Sequence, residues 1–260
     1  MSLTGKSPSE TYKDLIYVNN SNNGIPSDSA RPLKSGNGIQ SSLGVDDRRL
    51  QVKSSTNNTT AFEVKNASDT SKFLVDTTNN YVKANGVHVN TQYATFGANA
   101  SSLWSTAAAN KHNAVPFDNI NPGTVVTIGT STDPDTSFSI ANTADDIVNC
   151  YWFIMDNITI DRVVWWSGAD AATGDTTRCH LMSYDIDTDN GSTGGELSSG
   201  VVLADGADIT NAGYEQSYYQ QMTIQSADVT AGKVVLFTLR SDSVNSDFSI
   251  NATIKYHITG

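Results

Sequence analysis

Residues 247–258 alternate without a break. Phe248, Ile250, Ala252, Ile254, Tyr256 and Ile258 fall on one side, and Ser249, Asn251, Thr253, Lys255 and His257 on the other. A period of two predicts a strand with one face against a core and one toward solvent. Strands are also expected over 124–129, 137–141, 147–155, 157–166, 177–186, 200–204, 217–224 and 233–240. Eight or nine strands at this spacing predict an antiparallel β-sandwich, jelly-roll-like or of a related Greek-key type. Trp152, Trp165 and Trp166 lie in the middle of the pattern and supply a core of adequate size. Because side chains alternate, Trp165 and Trp166 must face opposite sides. One is expected in the core. The other is expected at a subunit interface or on an exposed face.

The pattern before residue 93 is thinner. Ser7-Pro8-Ser9-Glu10 carries a helix start, with a capping serine, proline at the first helical position and glutamate three residues after the cap. Tyr12, Leu15 and Ile16 then share a helical face, and the Asn-rich run 19–23 before Gly24 ends the helix near Val18. Residues 25–40, with Pro26, Pro32, Gly36 and Gly38, are expected to be extended and irregular. Short strands follow at 50–53, 61–65, 72–76 and 81–83, separated by turns such as Asn79-Asn80 and Asn85-Gly86. Phe62/Val64 and Phe73/Val75 repeat at an offset of 11 residues. Each strand offers only two or three apolar residues, too few to offset the entropy of ordering the segment. The meander is therefore expected to be stable only when copies of the chain bury these residues together. Residues 93–123 form a transition, with a short helical turn near 103–109 and breaks at Pro116 and Pro122-Gly123.

Composition sharpens this division. Ser, Thr and Asn make up roughly a third of the 260 residues, which suits strands and turns more than helix interiors. The net charge is -11, which argues against nucleic acid as a partner. Residues 1–95 hold 10 basic and 8 acidic residues, whereas 96–260 hold 6 and 19. One part is near neutral and the other strongly acidic, as expected of different modules. The segments are residues 1–40, 41–92 and 93–260. No secretory signal and no apolar run of about 18 residues is present, so no membrane span and no export by a signal peptide are expected. Cys150 and Cys179 lie in apolar, strand-like runs and are read as buried free thiols.

Candidate chemistry is sparse. Asp185, Asp187, Asp189 and Glu196 occupy positions 1, 3, 5 and 12 of a twelve-residue loop, the spacing of calcium-binding loops. The loop leaves a strand and enters Ser/Gly-rich sequence, so an acidic hairpin without an ion explains the same residues. Tyr214, Tyr218 and Tyr219 near the acidic loops are candidates for glycan contact, or for packing at a sandwich edge. Asp145 and Asp146 are adjacent carboxylates of the kind glycoside hydrolysis uses, but chance adjacency is expected among 19 acids. His88, His112, His180 and His257 lack zinc-ligand spacing. No phosphate-binding loop or nucleophile motif occurs, and the protein is not expected to be an enzyme.

The run Leu3-Thr4-Gly5-Lys6-Ser7-Pro8, then Thr11 to Val18 and the Asn-rich turn to Gly24, resembles the start of tail-fibre, head-fibre and capsid-decoration proteins of tailed bacteriophages. Leu50-Gln51-Val52, Ala61 to Val64 and Phe73 to Asn80 resemble their β-rich stalks. Ala231 to Leu236 and Ile250 to His257 are similar to their C-terminal heads. The resemblance implies a homotrimer with an attachment element at the N-terminus, in which Lys6, Tyr12, Leu15 and Ile16 dock on the major capsid protein or another virion protein. It also implies an all-β chain made in the host cytoplasm and displayed at the virion surface. Its acidic head would face outward, and in a short tail fibre that head would meet host surface glycans. No catalytic residue carries over.

Overall fold

The computed structural model describes residues 16–20, 23–98, 110–119, 125–170, 173–212, 216–242 and 247–259. The chain divides into two compact units, Met1–Val89 and Asn90–Gly260.

The first unit holds two four-stranded antiparallel meanders. One comprises β1 (Ile16–Val18), β2 (Arg31–Ser35), β3 (Gln40–Val45) and β4 (Leu50–Val52). The other comprises β5 (Phe62–Lys65), β6 (Ser71–Asp76), β7 (Tyr81–Ala84) and β8 (Val87–His88). Two expectations are corrected. Residues 16–18 are strand and not the end of a helix: Ile16-Tyr17-Val18 are β-branched or aromatic and pair with Ser35, Lys34 and Leu33. Residues 31–35 are strand despite Pro32, whose carbonyl still accepts the Asn19 N–H at 3.2 Å. The Asn85-Gly86 hairpin fits its sequence. Both residues have positive φ, 49° and 79°, which matches the twist of β7 and β8.

The second unit is an all-β sandwich. Its strands are β9 (Thr91–Ala98), β10 (Lys111–Val115), β11 (Trp152–Phe153), β12 (Ile158–Asp170), β13 (Thr176–Ile186), β14 (Leu197–Asp205), β15 (Ile209–Thr210), β16 (Gln216–Gln221), β17 (Thr223–Ile224), β18 (Asp228–Val229), β19 (Lys233–Ser241) and β20 (Asp247–Ile258). One sheet runs β16-β12-β20-β9 and the other β10-β19-β13-β14-β17, with the remaining short strands at their margins. The eight longest strands of this unit therefore pair first with last, second with seventh, third with sixth and fourth with fifth. That is a long hairpin rolled over on itself, the jelly roll. Between the sheets lie Phe96, Val163, Trp165, Leu181, Phe237 and Leu239, together with Ile250, Ala252 and Ile254 of β20, all buried.

The β10-β19-β13-β14 sheet is covered on its other side too. Val126, Ile128, Ile140, Ile147 and Cys150 pack there on Ala114, Met182, Tyr184, Val234 and Leu236. This explains why Val234-Val235-Leu236-Phe237 reads as a continuous apolar run while β20 alternates: a strand buried on both faces has no polar side. It also corrects the strands expected over 124–129, 137–141 and 147–155. Within the described residues, the first two contribute only isolated bridges, Asn113↔Thr127 and Phe138↔Leu197. The third contains the end of a one-turn helix (Ala144–Ile147), a 3-10 turn (Val148–Cys150) and then β11. Their apolar residues alternate with turn formers because they cover a sheet, not because they pair within one. Cys150 thus sits in a turn and Cys179 in β13; both are buried free thiols, and burial pushes the Cys150 thiol up to about 12. No helix among the described residues is long and apolar enough to cross a membrane.

Candidate functional site

Strand register decides which side chains share a surface. In the β5–β8 meander, Phe62 opposes Val75, Val64 opposes Phe73, Phe73 opposes Ala84, Val75 opposes Val82, and Ala84 opposes Val87. Directly opposed residues lie on one face. Seven apolar side chains therefore share a face, and Phe62, Val64, Phe73 and Val87 are each 37–47% exposed. Phe62 and Phe73 touch edge to face. The reverse face carries Glu63, Leu74, Tyr81, Lys83 and His88. Its groups satisfy one another: Tyr81 packs on His88, and the Lys83 ammonium lies 4.3 Å from the Tyr81 ring centroid. No large apolar side chain is buried among the described residues of this unit. Ile16, one of the expected anchors, is 68% exposed on β1; Lys6, Tyr12 and Leu15 lie outside the described residues.

A second surface is the outer face of the β16-β12-β20-β9 sheet. Trp165 is fully buried and Trp166 is 52% exposed, so the alternation expected for this pair holds. Trp166 opposes Tyr219 and Asn251 across the two neighbouring strands. Its ring meets the Tyr219 ring at 5.0 Å and a 50° tilt, and Arg162 donates to the Tyr219 hydroxyl at 3.0 Å. Arg162 opposes Lys255, which opposes the exposed Tyr93. Gln221, Val164, Thr253 and Thr95 fill the row between. At one end His257 meets Asp161 at 3.0 Å.

The three tyrosines read as glycan candidates do not form one cluster. Tyr219 is on the outer face. Tyr218 opposes buried Ser167 on the reverse side, where its hydroxyl accepts the Ala212 N–H at 2.6 Å. Tyr214 lies outside the described residues.

The acidic loop joins β13 to β14 as a hairpin. Asp185 pairs with Lys233, which holds its carboxyl below the usual range. Asp187 accepts the Asp189 N–H at 2.9 Å and the Thr193 hydroxyl at 2.7 Å, and these bonds lower its pKa. Glu196 accepts the Ser139 hydroxyl at 2.8 Å. The calcium-type spacing thus distributes its carboxylates among separate protein partners. Among the described residues no group of three or more His, Cys, Asp or Glu is arranged to hold a metal ion.

One polar cluster has no counterpart in the sequence motifs. His112 and His180 are fully buried, with ring centroids 5.0 Å apart. Their strands are not neighbours; β19 lies between them, placing Arg240 opposite His112 and Thr238 opposite His180. His112 Nε2 lies 2.9 Å from the Ser131 carbonyl. His180 Nε2 lies 3.2 Å from Asp205 and 3.3 Å from Asp133, without the alignment of a hydrogen bond. Arg178 makes a two-pronged contact with Asp205 at 3.1 and 2.7 Å. Burial lowers the pKa of His112 and, with His112 beside it, brings that of His180 down to about 4.

No protein-family model and no curated protein matches the sequence. A solved structure of infectious bursal disease virus, Gx strain, is similar at a TM-score of 0.27 and 13% identity, over 56% of this chain and 38% of that one. The chain thus spans well under half the length of that viral chain, and a likeness so slight carries no argument about role.

Proposed function

We propose that the chain is a homotrimeric structural protein of a phage virion surface, decorating the capsid or forming a short head fibre. The observation that carries this reading is the uncovered apolar face of Phe62, Val64, Phe73, Val75, Val82, Ala84 and Val87. With no large apolar side chain buried among its described residues, the meander lacks a core to offset the entropy of ordering it. Apposed copies remove the face from water and supply the missing core. The jelly roll is an architecture that viral capsid and lectin domains use, so it is compatible with this role without establishing it. Residues 3–18, with Lys6, Tyr12, Leu15 and Ile16, attach the trimer to the major capsid protein or another virion protein. The acidic second unit is the displayed part, and its charge discourages virions from clumping.

The test is the mass in solution followed by the site of attachment. The oligomer is expected at three times the chain mass of 27.8 kDa, and a monodisperse monomer overturns the shared core. An antibody to the second unit is expected to label the whole capsid shell; label confined to the tail overturns decoration. Removing residues 1–20 is expected to abolish incorporation into virions while the second unit stays folded.

A second reading is a short tail fibre whose head contacts host surface glycans. The exposed Trp166–Tyr219 pair, flanked by Arg162, Asn251, Gln221 and Thr253, favours it.

A further inference from the structure

We propose that the outer face of the β16-β12-β20-β9 sheet binds an acidic oligosaccharide, with Trp166 and Tyr219 stacking on the sugar rings and Arg162 taking the sugar carboxylate. The inference deepens the glycan-contact reading and rests on it. It does not depend on where the protein sits in a virion.

The first observation is charge. Residues 96–260 contain only 6 basic side chains against 19 acidic ones. Arg178 and Lys233 are neutralised by Asp205 and Asp185. Arg162 and Lys255 lie directly opposite each other on this face, and among the described residues neither has a carboxylate within ion-pairing distance. Asp161 is next in sequence, but its carboxylate meets His257 at 3.0 Å. A cationic spot has thus been kept on a strongly acidic body, which suits an anionic occupant.

The second observation is geometry. The guanidinium reaches along the sheet to the Tyr219 hydroxyl at 3.0 Å, beside the Trp166 ring. That contact uses one of its five N–H donors, leaving others for a two-pronged grip on a carboxylate. The aromatic rings offer exposed apolar faces next to this charge, and a pyranose ring also has an apolar face edged by hydroxyls. The neighbouring Asn251, Gln221, Thr253 and Thr95 provide amides and hydroxyls for those edges. Arg162 and Trp166 are four positions apart on β12, about 13 Å of strand. The platform is therefore longer than one sugar.

The face also differs from the apolar β5–β8 sheet. Its aromatic pair is surrounded by amides, hydroxyls and charge, so a dry subunit interface would strand many polar groups. An oligosaccharide leaves them hydrogen-bonded.

The experiment is calorimetric titration of the full chain with tetragalacturonate and with its methyl ester, which keeps the rings and removes the charge. Saturable binding of the acid form is expected, at least tenfold weaker for the ester. Trp166→Ala and Arg162→Gln are each expected to weaken acid binding at least tenfold with an unchanged urea unfolding midpoint. Absence of saturable binding overturns the proposal, as does equal binding of acid and ester or binding indifferent to both substitutions. Sedimentation of Trp166→Ala is run alongside. An intact oligomer supports the saccharide surface, and dissociation assigns the face to a subunit contact and overturns it. A wild-type monomer that still binds the acid form would sink the trimer alone.

Discussion

Phe62 and Phe73 meet edge to face, with ring centroids 6.1 Å apart, on a sheet surface that the described residues leave open to water. Phe62 is on β5 and Phe73 on β6, and the contact is diagonal across the register that pairs Phe62 with Val75. The pair lies at the β5–β6 side of the face proposed for self-association.

A charge placed there is expected to separate the copies. Phe73→Asp should convert the oligomer to a 27.8 kDa monomer in sedimentation while the second unit keeps its near-ultraviolet spectrum. Lys72→Asp, one position away and exposed, is expected to leave the oligomer intact. Equal behaviour of the two variants would argue against a register-specific interface.

Acid is expected to weaken the second unit through His112 and His180. Both have folded pKa values below the ordinary 6.5, His180 about 4. As pH falls below 6.5 the unfolded chain takes up protons that the folded chain refuses, so stability is lost between pH 6.5 and about 4. The loss is on the order of 2 kcal/mol. Asp133 and Asp205 favour the protonated histidines, and Arg178 and Arg240 oppose them. Urea unfolding across this range checks the slope, and His180→Gln should flatten it.

The cover over the second sheet depends on two close contacts. The Tyr184 hydroxyl donates to the Asp135 carbonyl at 2.8 Å, so Tyr184→Phe should cost about 1 kcal/mol. A Cβ at Gly200 would lie 2.6 Å from Tyr184 Cε1 and 2.8 Å from Thr136 Cα. Gly200→Ala should therefore cost about 1–3 kcal/mol by overpacking, read from urea midpoints.

Chelation is expected to leave the melting temperature unchanged, because Asp185, Asp187 and Glu196 bond to Lys233, Thr193 and Ser139. Asp187→Ala should lower it with or without calcium, since the Asp189 and Thr193 bonds are lost in both conditions. A rise in melting temperature on adding calcium would restore the ion-binding loop.

The sandwich is legible where one physical cause governs the pattern. β20 alternates because one face is buried, and Trp165 and Trp166 split for the same reason. The same rule separates Tyr218 from Tyr219, although adjacency in sequence suggests a cluster. Segments 124–129 and 137–141 mislead because Val126, Ile128 and Ile140 take their apolar pattern from a sheet beneath them. His112 and His180 cannot be joined from spacing. They are 68 positions apart, and only the register of β10, β19 and β13 brings them together. The scarcity of apolar residues points to little buried core in the first unit, but the exposed apolar face itself requires the pairing of β5 through β8.

The pairing of β9 with β20 also sets an order of events during synthesis. The jelly roll cannot close until residues 247–258 have left the ribosome, whereas the β5–β8 sheet is complete by His88. With the self-association proposed above, nascent chains on one messenger present their β5–β8 sheets to one another well before the second unit has closed. Under the proposed trimer, assembly is directional in time: association starts at the first unit, and the second unit closes last.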